Sequence, residues 1–218
     1  MNIQRDLSVI FKDKEWFNKT LLGGIFFMIP PLFILSFGFI ARFIHDRLET
    51  GNKALPSWDN WGLLFLKGFE WGLIIVFYFV IPVFILSLLP GSVVQFLVNP
   101  KFVISSLKIG GFFILFLSFL LGFIVMFFLP MALILFSDTG SFINAVRFKE
   151  IYKHIKNKPA PYLVTYLLTV FLLVLDFLLH LVLNTVQFGL ILILAYFLFV
   201  WLGFIILLIS ASLFIESF

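Results

Sequence analysis

Five uncharged, strongly apolar stretches dominate the chain. They cover about residues 21–41, 71–90, 109–136, 161–183 and 188–213, with Asp176 and His180 interrupting the fourth. Each approaches the roughly 20 residues a helix needs to cross a bilayer. None shows the ten-residue alternation of a membrane β-strand. The pattern therefore predicts an all-α integral membrane bundle, a single transmembrane domain of four to five helices. Between the stretches the period changes. Ile3, Leu7, Ile10 and Phe11 recur at helical spacing among charged residues, which predicts a short interfacial helix over residues 1–15. Ser141 is placed to cap an amphipathic helix ending before Pro159. Its apolar face would carry Ala145, Phe148, Ile151, Tyr152 and Ile155. In the most polar loop, Pro56 stops one element, and Ser57 or Asp59 can cap the next.

Composition agrees. Hydrophobic residues make up 62% of the 218 and charged residues 12%, against about half and a quarter in soluble domains. The mean hydropathy is +1.17. Cysteine is absent, which excludes disulfides, iron–sulfur clusters and thiolate zinc sites. Arg5, Asp6, Asp13 and Glu15 precede the first apolar run, a poor match to a cleavable signal peptide.

Charge then bears on topology. If all five stretches span, Lys and Arg divide nine to six between the two sides. If the first stretch enters and leaves by one face, thirteen gather on one side and two, Lys101 and Lys108, on the other. The positive-inside rule prefers the second arrangement, with both termini cytoplasmic. Pro30 and Pro31, in the middle of the first stretch, supply a helix break, and Gly23, Gly24 and Gly38 are expected to loosen both legs. A kinked spanning helix is the competing reading, since membrane helices tolerate proline.

Candidate chemistry is sparse. Thr165, Thr169, Asp176, His180, Asn184 and Gln187 fall on one face of the fourth stretch. A polar stripe of this kind either fixes packing through hydrogen bonds to Tyr78, Ser118, Tyr196 or a partner subunit, or forms a proton relay around Asp176 and His180. The packing role is preferred, because no second intramembrane carboxylate accompanies Asp176. Arg147, Lys149, Lys153, Lys156 and Lys158 make the helix between the third and fourth stretches basic and suit it to anionic headgroups. Trp58, Trp61 and Trp71 sit where aromatic belts sit. Phosphate-binding loops, dinucleotide fingerprints and HExxH motifs are missing, and no Ser or Thr has a placed base, so no catalytic, cofactor or metal site is expected. The basic groups are membrane-proximal and give no reason to expect nucleic acid.

Several stretches together carry a resemblance: Phe11-Lys12-Asp13-Lys14-Glu15-Trp16, Gly38-Phe39-Ile40-Ala41-Arg42, Leu55-Pro56-Ser57-Trp58-Asp59-Asn60-Trp61-Gly62 with Phe65 and Gly68, and Phe148-Lys149-Glu150-Ile151. They resemble the prokaryotic membrane family called domain of unknown function 4013. The resemblance implies a multi-pass protein of a prokaryotic cell membrane and brings no activity with it. Members often end in an aromatic, basic tail, whereas this chain ends Leu213-Phe214-Ile215-Glu216-Ser217-Phe218. The function expected is that of a non-enzymatic membrane protein acting by helix packing, an oligomer or an accessory, bilayer-organising subunit in contact with anionic lipid. A small transporter or channel using the stripe is the alternative.

Overall fold

The computed structural model describes residues 10–51, 54–80, 109–183 and 189–218. Residues 1–9 of the expected interfacial helix at 1–15 lie outside them, as do Asn184 and Gln187. The described elements are helical throughout: α1 (Trp16–Met28), α2 (Phe33–Thr50), α3 (Trp61–Ile75, continued by a π-helical stretch Val76–Val80), α4 (Ile109–Thr139), α5 (Phe142–Val146), α6 (Phe148–Asn157), α7 (Pro159–Leu183) and α8 (Gly189–Ser217). Among the described residues, four segments are long and apolar enough to cross a membrane: Trp61–Tyr78, Gly122–Thr139, Pro159–Val182 and Ile193–Ser217. Two compact units divide the chain, one of residues 1–72 and 131–218, the other of residues 73–130. The second comprises the end of α3 and the larger part of α4, with Pro130 at its boundary.

The first apolar stretch is two antiparallel helices, α1 and α2, joined by a turn over Ile29–Leu32. The Pro30–Pro31 peptide in that turn is cis. At 1.5 Å per residue the 13 residues of α1 reach about 20 Å, well short of a hydrocarbon core of about 30 Å. Ser36 Oγ donates to Gly23 O at 2.8 Å and holds the legs together. Both open ends of the hairpin lie at one end of the first unit. There Lys19 Nζ donates to Asp13 Oδ2 and to Leu55 O, both at 2.9 Å. Leu55 N donates to Asp13 Oδ2 at 2.9 Å, and Trp58 Nε1 donates to Lys19 O at 3.0 Å. The loop after α2 is thus tied to the start of α1.

The glycines expected to loosen the hairpin do the opposite. A Cβ on Gly23 would lie 2.2 Å from Phe204 of α8, and one on Gly24 would lie 3.0 Å from the Trp201 Cα. On the other side, a Cβ on Gly38 would lie 1.8 Å from Leu64 O of α3, and one on Gly68 would lie 1.7 Å from Ile34 O of α2. Small residues let membrane helices approach backbone to backbone, where dispersion replaces the missing hydrophobic drive. The hairpin is accordingly clamped between α8 and α3. Trp201 Nε1 donates to Thr20 Oγ1 at 3.3 Å across the first contact.

α3 starts at Trp61, ten residues before the apolar run at Trp71, and takes Lys67 and Glu70 into the helix as an i,i+3 pair at 3.5 Å. Trp71 Nε1 donates to Ser137 Oγ at 3.1 Å and joins α3 to the end of α4. The expected single helix after Ser141 is two. Arg147 is extended, φ −81° and ψ 93°, and separates α5 from α6. Ser141 occupies the N-cap position of α5, but its side chain makes no capping bond. Gly51 and Gly140, at φ 66° and 65°, end α2 and α4 in the left-handed conformation that suits glycine.

Asp13 gives this end a pH dependence. Burial works against its carboxylate, but the Lys19 ammonium and the N–H groups of Glu15 and Leu55 outweigh burial and hold its pKa below the usual value. A depressed carboxyl contributes stability above the unfolded pKa, near 4, and loses it as pH falls through the folded value. The thermal midpoint in detergent is expected to fall below about pH 4, and Asp13→Asn to lower the neutral-pH midpoint while flattening that acid limb. An unchanged acid limb in the variant would exclude Asp13 as its source.

Candidate functional site

The polar end of the first unit collects the ends of several helices. Arg47, at the end of α2, is 7% exposed. It donates to Ser212 Oγ and, at 3.1 Å, to Glu216 Oε1, both on α8. His45 Nδ1 meets Ser137 O of α4 at 3.0 Å, and its Nε2 meets Glu49 at 3.1 Å. Arg42 pairs with Asp59, which is thereby occupied in the loop before α3. The His154 ring of α6 stacks on Phe218, centroids 4.6 Å apart. No motif in the sequence marks Arg47 as functional. Ser36, Ile40, Phe43 and Arg47 share one helical face and are all buried, so a lone cation on an apolar stripe was the available signal.

α6 is pinned by Ile151 and Ile155, which are buried, while Phe148 and Tyr152 are more than half exposed. The five apolar positions expected on one face are therefore divided, Ala145, Ile151 and Ile155 inward and Phe148 and Tyr152 outward. At 100° per residue Lys149, Lys153 and Lys156 follow Phe148 and Tyr152 around the helix, and all three are exposed. Glu150 and His154 lie on the other side, where they line a cleft of about 390 Å³ with Asp138, Asn144 and Arg147. Arg147 thus faces that cleft, apart from the lysine row, and Lys158 is exposed just past the helix.

The stripe on α7 lies partly inside the protein. Thr165, Thr169 and Asp176 are 0%, 9% and 9% exposed. Asp176 faces α8, where a Cβ on Gly203 would lie 3.3 Å from Asp176 Oδ2. The His180 ring lies 4.4 Å from that of Phe199 and 6.4 Å from that of Tyr196, both on α8. The Thr169 hydroxyl, Asp176 Oδ1 and the Ser210 hydroxyl of α8 are buried with no hydrogen-bond partner among the described residues. Asp176 Oδ1 thus receives no donor from the described residues, and Gly203 of α8 stands opposite Oδ2.

The three tryptophans have different surroundings. Trp58 stacks on Phe39, centroids 4.3 Å apart, and meets Phe26 edge-on at 5.2 Å. Trp61 is 47% exposed, and Trp71 is 6% exposed. Among the described residues no group of three or more His, Cys, Asp or Glu side chains is placed to hold a metal ion.

Helices of this length and apolarity, with polar ends gathered on one side, define a multi-pass helical membrane protein. The chain belongs to the family described as Protein of unknown function (DUF4013), which it matches over residues 22–185. No curated protein and no solved structure matches it.

Proposed function

We propose that this protein is a non-enzymatic, bilayer-organising or accessory membrane subunit whose polar end rests on anionic headgroups at the cytoplasmic face. In this reading α1 and α2 form a re-entrant hairpin, four segments span, and both termini are cytoplasmic. One observation carries the reading: α6 presents Phe148 and Tyr152 beside a row of Lys149, Lys153 and Lys156. Exposed aromatics suit the headgroup boundary, and each lysine near an anionic surface adds about 1 kcal/mol before screening. The buried pair Ile151 and Ile155 fixes the helix on the bundle, so little further ordering is needed on docking.

The test uses liposomes with and without anionic lipid. Anionic lipid is expected to raise the thermal midpoint of the wild type, and the triple variant Lys149→Gln/Lys153→Gln/Lys156→Gln is expected to lose most of that rise. Equal rises in both would contradict headgroup docking through α6 and favour an acidic protein partner for the same lysines.

A second reading, a small transporter or channel, is favoured by the polar atoms of Thr169, Asp176 and Ser210 between α7 and α8, which lack partners among the described residues. Buried polar atoms without partners are uncommon and are often matched by water or a passing ligand. Asp176→Asn is the discriminating variant. Unchanged stability with lost solute or proton flux in proteoliposomes supports transport, whereas changed stability with no flux in either protein supports a packing role.

A further inference from the structure

A second cavity at the polar end, of about 180 Å³, opens between α2, α3 and the end of α4. One wall is apolar, formed by Ala41, Leu63 and Leu64, and charged side chains border it. Two of these are committed elsewhere: Arg42 to Asp59, and His45 to Ser137 O and Glu49. The other two are not. Lys67 is about a third exposed, and its ion pair among the described residues is with Glu70, itself half exposed, at 3.5 Å. Such surface pairs contribute little. Its Nζ lies 5.2 Å from the Phe136 ring centroid, so the ammonium reaches back over the end of α4.

Asp138, which also borders the cleft that Arg147 faces, is exposed, and its side chain makes no hydrogen bond or ion pair with the described residues. Its position is electrostatically poor, because it sits in the last turn of α4, at the negative end of the helix dipole. A carboxylate there gains from any cation brought to it. The cavity therefore offers one loosely held ammonium and one unmatched carboxylate around an apolar wall. A purely anionic ligand would be opposed by Asp138, and a purely cationic one by Lys67.

We infer that this cavity binds the headgroup of an aminophospholipid, its phosphate against Lys67 and its primary ammonium against Asp138. Ala41, Leu63 and Leu64 take the glycerol and first methylenes. The inference rests on the proposed placement of this end at the headgroups, and it uses none of the lysines of α6.

The test compares phosphatidylethanolamine with phosphatidylcholine, which has the same net charge but an ammonium that cannot donate hydrogen bonds. Wild-type protein in detergent micelles is titrated with each lipid and with soluble phosphoethanolamine. Phosphatidylethanolamine is expected to raise the thermal midpoint above that in phosphatidylcholine. Asp138→Asn and Lys67→Gln are each expected to lose this difference, and the α6 triple variant to keep it. Asp138→Asn removes a charge that the helix end opposes, so without lipid it is expected to be at least as stable as the wild type. Equal shifts with the two lipids, or a difference that survives Asp138→Asn, would overturn the site. Stabilisation by soluble phosphoethanolamine without any by the lipid would overturn the lipid assignment. Loss of the difference in the α6 triple variant as well would attribute it to general headgroup docking and overturn the cavity's role.

Discussion

Replacing Gly38 or Gly68 by valine is expected to remove the cooperative thermal transition of the protein, or to lower its midpoint further than loss of the buried Arg47 guanidinium does. In each case the atom in the way is a main-chain carbonyl oxygen, Leu64 O at 1.8 Å or Ile34 O at 1.7 Å from the new Cβ. A rotamer change cannot relieve such a clash, so α2 and α3 must separate. Ordinary overpacking costs about 1–3 kcal/mol because flexible side chains give way, and moving two helix backbones apart exceeds that range. Alanine at either position produces the same clash, since it introduces the same Cβ. Gly62 and Gly72 of α3 have open space around them, so alanine there is the matched control and is expected to leave the midpoint nearly unchanged. Comparable losses at all four positions would mean that glycine in α2 and α3 serves helix flexibility instead of close approach.

The second large effect is expected at Arg47. Its side chain is buried against α8, with Ser212 and Glu216 as partners. Arg47→Met keeps the apolar stem and removes the guanidinium. Hydrogen bonds to charged groups are worth roughly 1.5–3 kcal/mol each. Glu216 is about half exposed and regains water, so a loss of about 2 kcal/mol is expected overall. A double-mutant cycle with Glu216→Gln isolates the direct pairing. Coupling near zero, with Arg47→Met still destabilising, would assign the effect to the guanidinium's other polar contacts, Ser212 among them.

Much of the fold was legible in the pattern of apolar residues. The third, fourth and fifth stretches became α4, α7 and α8 with ends within a few residues, because a helix in lipid must satisfy its own backbone and run the full apolar length. The break that makes the first stretch a helical hairpin was legible from Pro30 and Pro31. Its extent was not, since α1 begins at Trp16 and α2 runs through Arg42, Asp46, Arg47 and Glu49 to Thr50. Charged residues at a helix end look like loop in hydropathy, although in the structure Arg42 and Arg47 reach partners on neighbouring elements and Asp46 and Glu49 pair within α2.

Glycine was the clearest misreading. Freedom at a turn and close approach of two helices require the same missing Cβ, and only the packing tells them apart at Gly23, Gly24 and Gly38. The amphipathic pattern around Phe148 located α6 but not the division of its apolar face, because a bundle wall and a lipid boundary accept the same residues. The cavity beside Lys67 and Asp138 joins residues 71 positions apart in sequence, and no local spacing could have announced it.

The proposed topology turns on one point: the α1–α2 hairpin enters and leaves by the face that also carries α6. The absence of cysteine from the chain makes site-directed labelling clean. Single cysteines at Lys14, Thr50 and Lys153, tested with a membrane-impermeant maleimide on oriented vesicles, are expected to react from the same side. A cysteine at Gly189, at the start of α8, is expected to react from the other. Labelling of the Lys14 and Thr50 positions from opposite sides would make the first apolar stretch a spanning segment and contradict the re-entrant hairpin.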